Sequence, residues 1–116
     1  MWEAAMFAPN NNLSNLNVII DKNNFQQTGE NKNIMDLKSL SEKWKSFGWN
    51  VTESNGHDIN ELKEYFEKVK TINSPKVLIA NTIKGKGISF AENNNQWHHS
   101  ILSERLYNQA IQELEK

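Results

Sequence analysis

Asn17-Val18-Ile19-Ile20-Asp21-Lys22-Asn23-Asn24-Phe25-Gln26-Gln27-Thr28-Gly29 (NVIIDKNNFQQTG) is the stretch that decides the fold. Val18, Ile19 and Ile20 make a short β-branched run that stops abruptly at Asp21-Lys22-Asn23-Asn24. Such a run, bounded by polar turn formers, predicts a buried strand feeding a loop. Open α/β sheets bind ligands at the carboxyl ends of their strands, which is where Asp21, Asn23 and Asn24 fall. Carboxylate, amide and backbone oxygens suit a hard divalent cation, so the loop is a candidate for holding Mg²⁺ or Ca²⁺ on a phosphorylated cofactor. The plainer reading is an asparagine-rich loop in an asparagine-rich chain.

The segments on either side alternate in period. Met1 to Ala8 (MWEAAMFA) is helix-forming in composition, with Trp2, Met6 and Phe7 as an apolar edge. Nothing precedes it to cap the helix, so it reads as the last turns of a helix whose beginning is missing. Pro9 to Ser14 reads as a breaker-rich loop, Leu16 to Ile20 as the first strand, and Phe25 to Met35 as a polar loop. Asp36 is placed to cap a helix with Leu37, Leu40, Trp44 and Phe47 on one face, ended by Gly48. Trp49 to Glu53 predicts a short, more exposed strand, and Asn55-Gly56 a turn. Asp58 with Glu61 has the form of a capping box ahead of a helix that turns Ile59, Leu62, Phe66 and Val69 inward. Ser74-Pro75 is a stop, and Lys76 to Asn81 (KVLIAN) a second buried-type strand. Thr82 to His99 reads as a long loop with Gly85 and Gly87. Ser103 caps a last helix whose buried stripe is Leu106, Tyr107, Ala110, Ile111 and Leu114. Strands alternating with amphipathic helices define an α/β class: a parallel sheet covered on both faces, in three layers.

Composition narrows the function. The chain has 116 residues, 37% of them hydrophobic, and 13 basic against 14 acidic residues for a net charge of −1. That balance gives no electrostatic case for nucleic acid or an anionic membrane. Without cysteine there is no disulfide, thiolate nucleophile or Cys-type zinc site. No apolar run reaches the span of a bilayer and the start lacks a signal-peptide layout, so the expected location is the cytoplasm.

Three segments taken in order go beyond generic α/β: WEAAMFA with NLNVIIDKNNFQQTG, then FGWNVTESNGHDINEL, then KVLIANTIKGKGISFAENNNQWHH. In this order and spacing they closely resemble the diphosphate-binding domain of transketolases, specifically its carboxyl-terminal half. The likeness covers nearly the whole chain and extends to the separate N-terminal subunit of split bacterial transketolases. It implies residues 1–116 as a partial thiamine diphosphate-binding fold.

The resemblance also implies roles. The family binds thiamine diphosphate through a motif that opens with Gly-Asp-Gly and closes with an Asn, the Asp, the Asn and a backbone carbonyl two residues after it being metal ligands. Here the closing Asn matches Asn23 and the carbonyl that of Phe25, with Asn24 a bystander. The opening Gly-Asp-Gly has no counterpart in the sequence. Lys84 matches a family position close to the cofactor. Trp97-His98 matches a Trp-His whose His contacts the diphosphate side and substrate and helps proton transfer; a one-residue shift selects His99 instead. Glu3 matches an acidic residue near the family's dimer interface, and otherwise is a helix-surface carboxylate. His57 reads as structural or at the edge of the site. The implied chemistry is ketol transfer between sugar phosphates. The implied partner is a C-terminal subunit carrying the pyrimidine-binding domain, in a homo- or hetero-oligomer. The alternatives are a related enzyme such as 1-deoxyxylulose-5-phosphate synthase, a non-catalytic remnant, and a generic nucleotide-binding α/β module, the last weakened by the lack of a Gly-rich strand-to-helix loop. A sheet lacking neighbouring strands is further expected to leave edges and apolar faces open.

Overall fold

A computed structural model describes residues 1–115. The chain divides into two compact units, Met1–Lys22 with Leu37–Thr82, and Asn23–Asp36 with Ile83–Lys116.

The first unit is built on β5 (Lys76–Asn81), whose first five residues are all buried. It lies between β1 (Asn17–Lys22) and β4 (Asn50–Asn55) in a wholly parallel sheet of order β1-β5-β4. Val77 pairs in register with Val18 on one side and Val51 on the other. Because side chains alternate across a strand, β5 feeds two cores. Val77 and Ile79 pack with Ala5 and Ala8 of α1 (Trp2–Asn10), Leu40 and Trp44 of α3 (Leu40–Ser46), and Trp49. Leu78 and Ala80 pack with Tyr65 of α4 (Ile59–Lys68) and with Val69. Helices therefore cover both faces, as a parallel sheet requires, and the unit has three layers. Burying each of the large aliphatic side chains of β5 is worth about 1.5–3 kcal/mol.

Several local readings are corrected. The apolar run of β1 is not fully buried: β1 is an edge strand, and Ile19 is 57% exposed. Pro9 does not end α1, which runs to Asn10. A helical proline has no N–H for the carbonyl four residues back, here that of Ala5. The indole N–H of Trp49 donates to that carbonyl instead, at 2.7 Å. The cap of α3 is Ser39, whose hydroxyl accepts from the Glu42 N–H, and not Asp36; Leu37 packs on the core from outside the helix. Asp58 does cap α4, accepting from the N–H groups of Asn60 and Glu61. The return half of the capping box is not made. The Glu61 carboxylate accepts from the Ser54 hydroxyl and the Asn55 N–H, at 2.6 and 2.9 Å, and so ties α4 to the end of β4. The inward stripe of α4 is Leu62, Tyr65 and Val69, while Ile59 and Phe66 are exposed. The turn is decided by Tyr65, whose hydroxyl donates to Asn17 Oδ1 at 3.1 Å.

The second unit holds the two segments expected to be loops. Phe25 to Met35 contains a tight hairpin, β2 (Phe25–Gln26) with β3 (Gly29–Glu30), and a single turn of helix, α2 (Asn31–Ile34). The long loop after β5 contains a 3₁₀ turn at Asn95–His98. Ser103 caps α5 (Glu104–Leu114) as expected, accepting from the Leu106 N–H. The predicted stripe of α5 is corrected: Ala110 is buried, whereas Tyr107, Ile111 and Leu114 are exposed. Polar contacts hold this helix. Glu113 accepts from the N–H and hydroxyl of Ser89, at 2.7 and 2.6 Å.

Candidate functional site

Asn23, Phe25, Lys84, His98 and His99 belong to the second unit, and Glu3 to the first. Asn23 is half-buried, and its side-chain Oδ1 accepts from the Phe25 N–H at 2.9 Å. This Asx turn fixes the peptide plane around which the chain enters β2. An amide oxygen has two lone pairs, so Asn23 Oδ1 keeps one for a further partner. Asn24 sits in the left-handed region at φ +65°, and its carbonyl accepts from the Asn31 N–H at 2.9 Å, closing the hairpin against α2. Asp21, grouped with these residues by sequence, belongs to the first unit, where its carboxylate accepts from the Thr82 hydroxyl. That contact latches the end of β1 to the chain leaving β5.

Lys84 opens a fastened loop. Its carbonyl accepts from Asn93 N–H at 2.9 Å, and the Glu92 carboxylate accepts from Gly87 N–H at 3.0 Å. Gly85 at φ +70° is required there, because a Cβ would lie 2.4 Å from the Ala91 carbonyl oxygen. The close approach that glycine permits is thus to the loop's own backbone. Downstream, the Asn94 side chain caps the 3₁₀ turn, accepting from the Gln96 N–H at 3.1 Å. Trp97 packs on Phe90 with ring centroids 4.8 Å apart. The Asn95 side-chain amide donates to the Gln27 carbonyl at 3.0 Å, anchoring the turn to the hairpin, while its Oδ1 is buried with no partner among the described residues. His98 ends this turn and His99 follows it, both exposed. Glu3 is fully exposed; hydrogen bonding to backbone, then the nearby amino terminus, holds its carboxyl below the usual range.

Among the described residues no cluster of three His, Cys, Asp or Glu side chains could hold a metal. The donors that fit are neutral oxygens, the Asn23 side chain and the Phe25 carbonyl. They suit a hard cation but leave most of an octahedral shell to diphosphate, water and other donors.

The sequence reading missed a cavity of about 340 Å³ beside this turn, lined by Asn24, Phe25, Glu30, Asn31, Lys32 and Asn93. Lys32 Nζ lies 2.9 Å from the Glu30 carboxylate, which by hydrogen bonding first and charge second raises the ammonium pKa. The signal for it was the Thr28-Gly29 turn, which folds Asn31 back onto Asn24.

A parallel three-layer α/β unit with an oxygen-rich turn after its first strand is the class these elements define. Over residues 1–114 the chain matches the family described as "Transketolase, thiamine diphosphate binding domain", and it belongs to that family. It is 36% identical over 115 residues to an apulose-4-phosphate transketolase subunit of Phocaeicola vulgatus, covering 98% of this chain and 41% of that protein. It is 39% identical over 117 residues to 6-deoxy-6-sulfo-D-fructose transketolase subunit SqwG of Clostridium sp. (strain MSTE9), covering 100% of this chain and 42% of that protein. The chain thus spans about two fifths of the length of these relatives. Transketolase from Campylobacter jejuni superposes with a TM-score of 0.90 at 26% identity, over 98% of this chain and 18% of that one. No helix among the described residues is long and apolar enough to cross a membrane.

Proposed function

We propose that this chain forms the carboxyl-terminal part of the diphosphate-binding domain of a thiamine diphosphate-dependent transketolase. In this reading the Asn23 side chain and the Phe25 carbonyl hold the Mg²⁺ (or Ca²⁺) that neutralises the cofactor's diphosphate. The observation that carries it is the 2.9 Å bond from Phe25 N–H to Asn23 Oδ1, which fixes the Asn23 side chain on the turn that leads into Phe25. Lys84 adds positive charge on the fastened loop. His98, or His99 one residue on, donates and accepts protons at the substrate. Glu3 sits at a subunit contact. When bound, thiamine diphosphate supplies the ylid and electron sink; the protein supplies orientation and proton management.

Both relatives named above are transketolase subunits. Their lengths and names support a working assembly in which a C-terminal subunit contributes the pyrimidine-binding domain and the Gly-Asp-Gly ligand comes from residues this chain does not contain. Their names also support a polyhydroxylated, anionic sugar as substrate.

Calorimetric titration of the chain with thiamine diphosphate and Mg²⁺, beside Asn23→Ala, tests the reading. Saturable, metal-dependent binding that disappears in the variant supports it. Absence of binding, or binding indifferent to Asn23, favours a non-catalytic remnant.

A further inference from the structure

We propose that Lys76 marks a binding site for a phosphate group at the amino-terminal end of the sheet, apart from the residues assigned to the cofactor and independent of the transketolase reading. Lys76 is 5% exposed, and it is the only charged side chain buried among the described residues. It opens β5, in register with Asn17 of β1 and Asn50 of β4. Alternation along β5 puts it on the face of Leu78 and Ala80, the face covered by Tyr65 and Val69. Its Nζ donates to the backbone carbonyl of Ser14. Among the described residues it has no other acceptor and makes no salt bridge. A lysine head carries three N–H donors and no acceptor. Lysine is almost never buried without a pairing charge, because the charge gives up its water. The single carbonyl uses one donor and leaves the charge uncompensated. An anion supplies both the missing acceptors and the missing charge.

A depression of about 420 Å³ opens at this residue, lined by Lys76 and Lys70, by Ser14 and Asn15, and by residues 71–73. Two lysines and no acidic residue line it, and all of it lies within the first unit. Lys70 is exposed, and its ammonium meets both oxygens of the Glu67 carboxylate at 2.7 Å. Surface pairs of this kind are weak, so a doubly charged phosphate can draw on Lys70, whereas a singly charged carboxylate competes only as an equal of Glu67. Backbone bonds fasten both sides. On one side Leu13 N–H donates to the Ala8 carbonyl and Leu16 N–H to the Leu13 carbonyl, each at 3.0 Å. On the other, Val69–Thr71 is a 3₁₀ turn, and Ile72 N–H donates to the Val69 carbonyl at 3.2 Å. Lys76 N–H itself donates to the Leu16 carbonyl at 3.0 Å. The strand that carries the ammonium is therefore tied to the loop that carries its acceptor before any ligand binds.

Nuclear magnetic resonance titration of the full chain with inorganic phosphate, at an ionic strength held constant by chloride, tests the site. Saturable shifts are expected at the backbone amides of Asn15, Thr71, Asn73 and Lys76, with acetate moving them less. Methyl phosphate is the second probe. Saturation by both phosphates supports a site that takes the end of a phosphate monoester, and saturation by inorganic phosphate alone supports a site for the free ion. Lys76→Met, which keeps most of the stem, should weaken phosphate about ten- to a hundredfold, the size of hydrogen bonds to a charged group. Lys70→Met, at an exposed position, should weaken it about threefold. If Lys76→Met does not fold, the shifts of the parent chain and the Lys70→Met titration decide. No saturation by either phosphate, an equal response to acetate, or shifts confined to other residues would overturn the assignment. So would undiminished phosphate binding in a folded Lys76→Met, which would leave the lysine as a tie to Ser14 alone.

Discussion

The indole N–H of Trp49 donates to the backbone carbonyl of Ala5, 44 residues earlier, at 2.7 Å in a buried position. This is the carbonyl that Pro9 leaves without its helical partner, so a donor from the sheet's threshold repairs a break in α1. Both ends lie in one aromatic and aliphatic core, where Trp44 meets Trp49 edge-on at 4.7 Å. Trp49→Phe keeps most of the packing and orphans the carbonyl. It should cost about 2 kcal/mol by urea denaturation. Adding Pro9→Ala, which restores a helical N–H, should recover about 1 kcal/mol of that loss. A double-mutant cycle with no coupling between the two positions would refute this account.

Tyr65 gives the chain an alkaline limit. Its side chain is buried, and burial raises the phenol above its usual pKa. The neutral form is thus favoured in the folded state more than in the unfolded one. The contribution is fully present below the unfolded pKa, about 10, and is lost as pH rises through the raised folded value. Denaturation midpoints should hold steady through neutral pH and fall above about pH 10. Tyr65→Phe should flatten that fall relative to the parent while lowering stability at neutral pH, because the bond to Asn17 is lost. An identical alkaline slope in both proteins would show that other groups set it.

Gly85→Ala tests whether the lysine loop is a fixed element. Left-handed backbone costs a residue with a Cβ about 1–2 kcal/mol. The new methyl would in addition meet the Ala91 carbonyl oxygen at 2.4 Å, so the loop has to open. Expected are large amide-shift changes from Lys84 to Asn94 and loss of protection at the Asn93 N–H. A spectrum changed only at the substituted residue would contradict the geometry.

Asp58→Ala removes both acceptor contacts at the start of α4. The expected cost is about 1 kcal/mol, read from the thermal or urea midpoint. Glu61→Gln should act differently. It weakens the bonds from Ser54 and Asn55, so its effect should appear as faster hydrogen exchange at the Asn55 N–H, not as fraying of the helix. Fraying in Glu61→Gln would restore the full capping box.

The α/β class, the three parallel strands, the caps at Asp58 and Ser103, and the family were all legible in the order of residues, since they follow from local period, capping chemistry and motif order. KVLIAN reads as a central strand because burial on both faces leaves no polar alternation to mistake. That the similar run in β1 sits at an edge is not written locally, because neighbours in a sheet are chosen by the whole chain. Pro9 reads as a stop because the donor that lets α1 continue comes from Trp49, far along the sequence. The inward face of α4 turned on Tyr65 reaching Asn17, a contact of the same kind. At the candidate site, the turn at Asn23 was legible from its polar turn formers. The cavity of Asn24, Asn31, Lys32 and Asn93 was not, because it exists only once the hairpin and the lysine loop each close on backbone bonds. Local pattern fixes which residues can form a helix, strand or turn; packing across the chain settles which side chains then share a space.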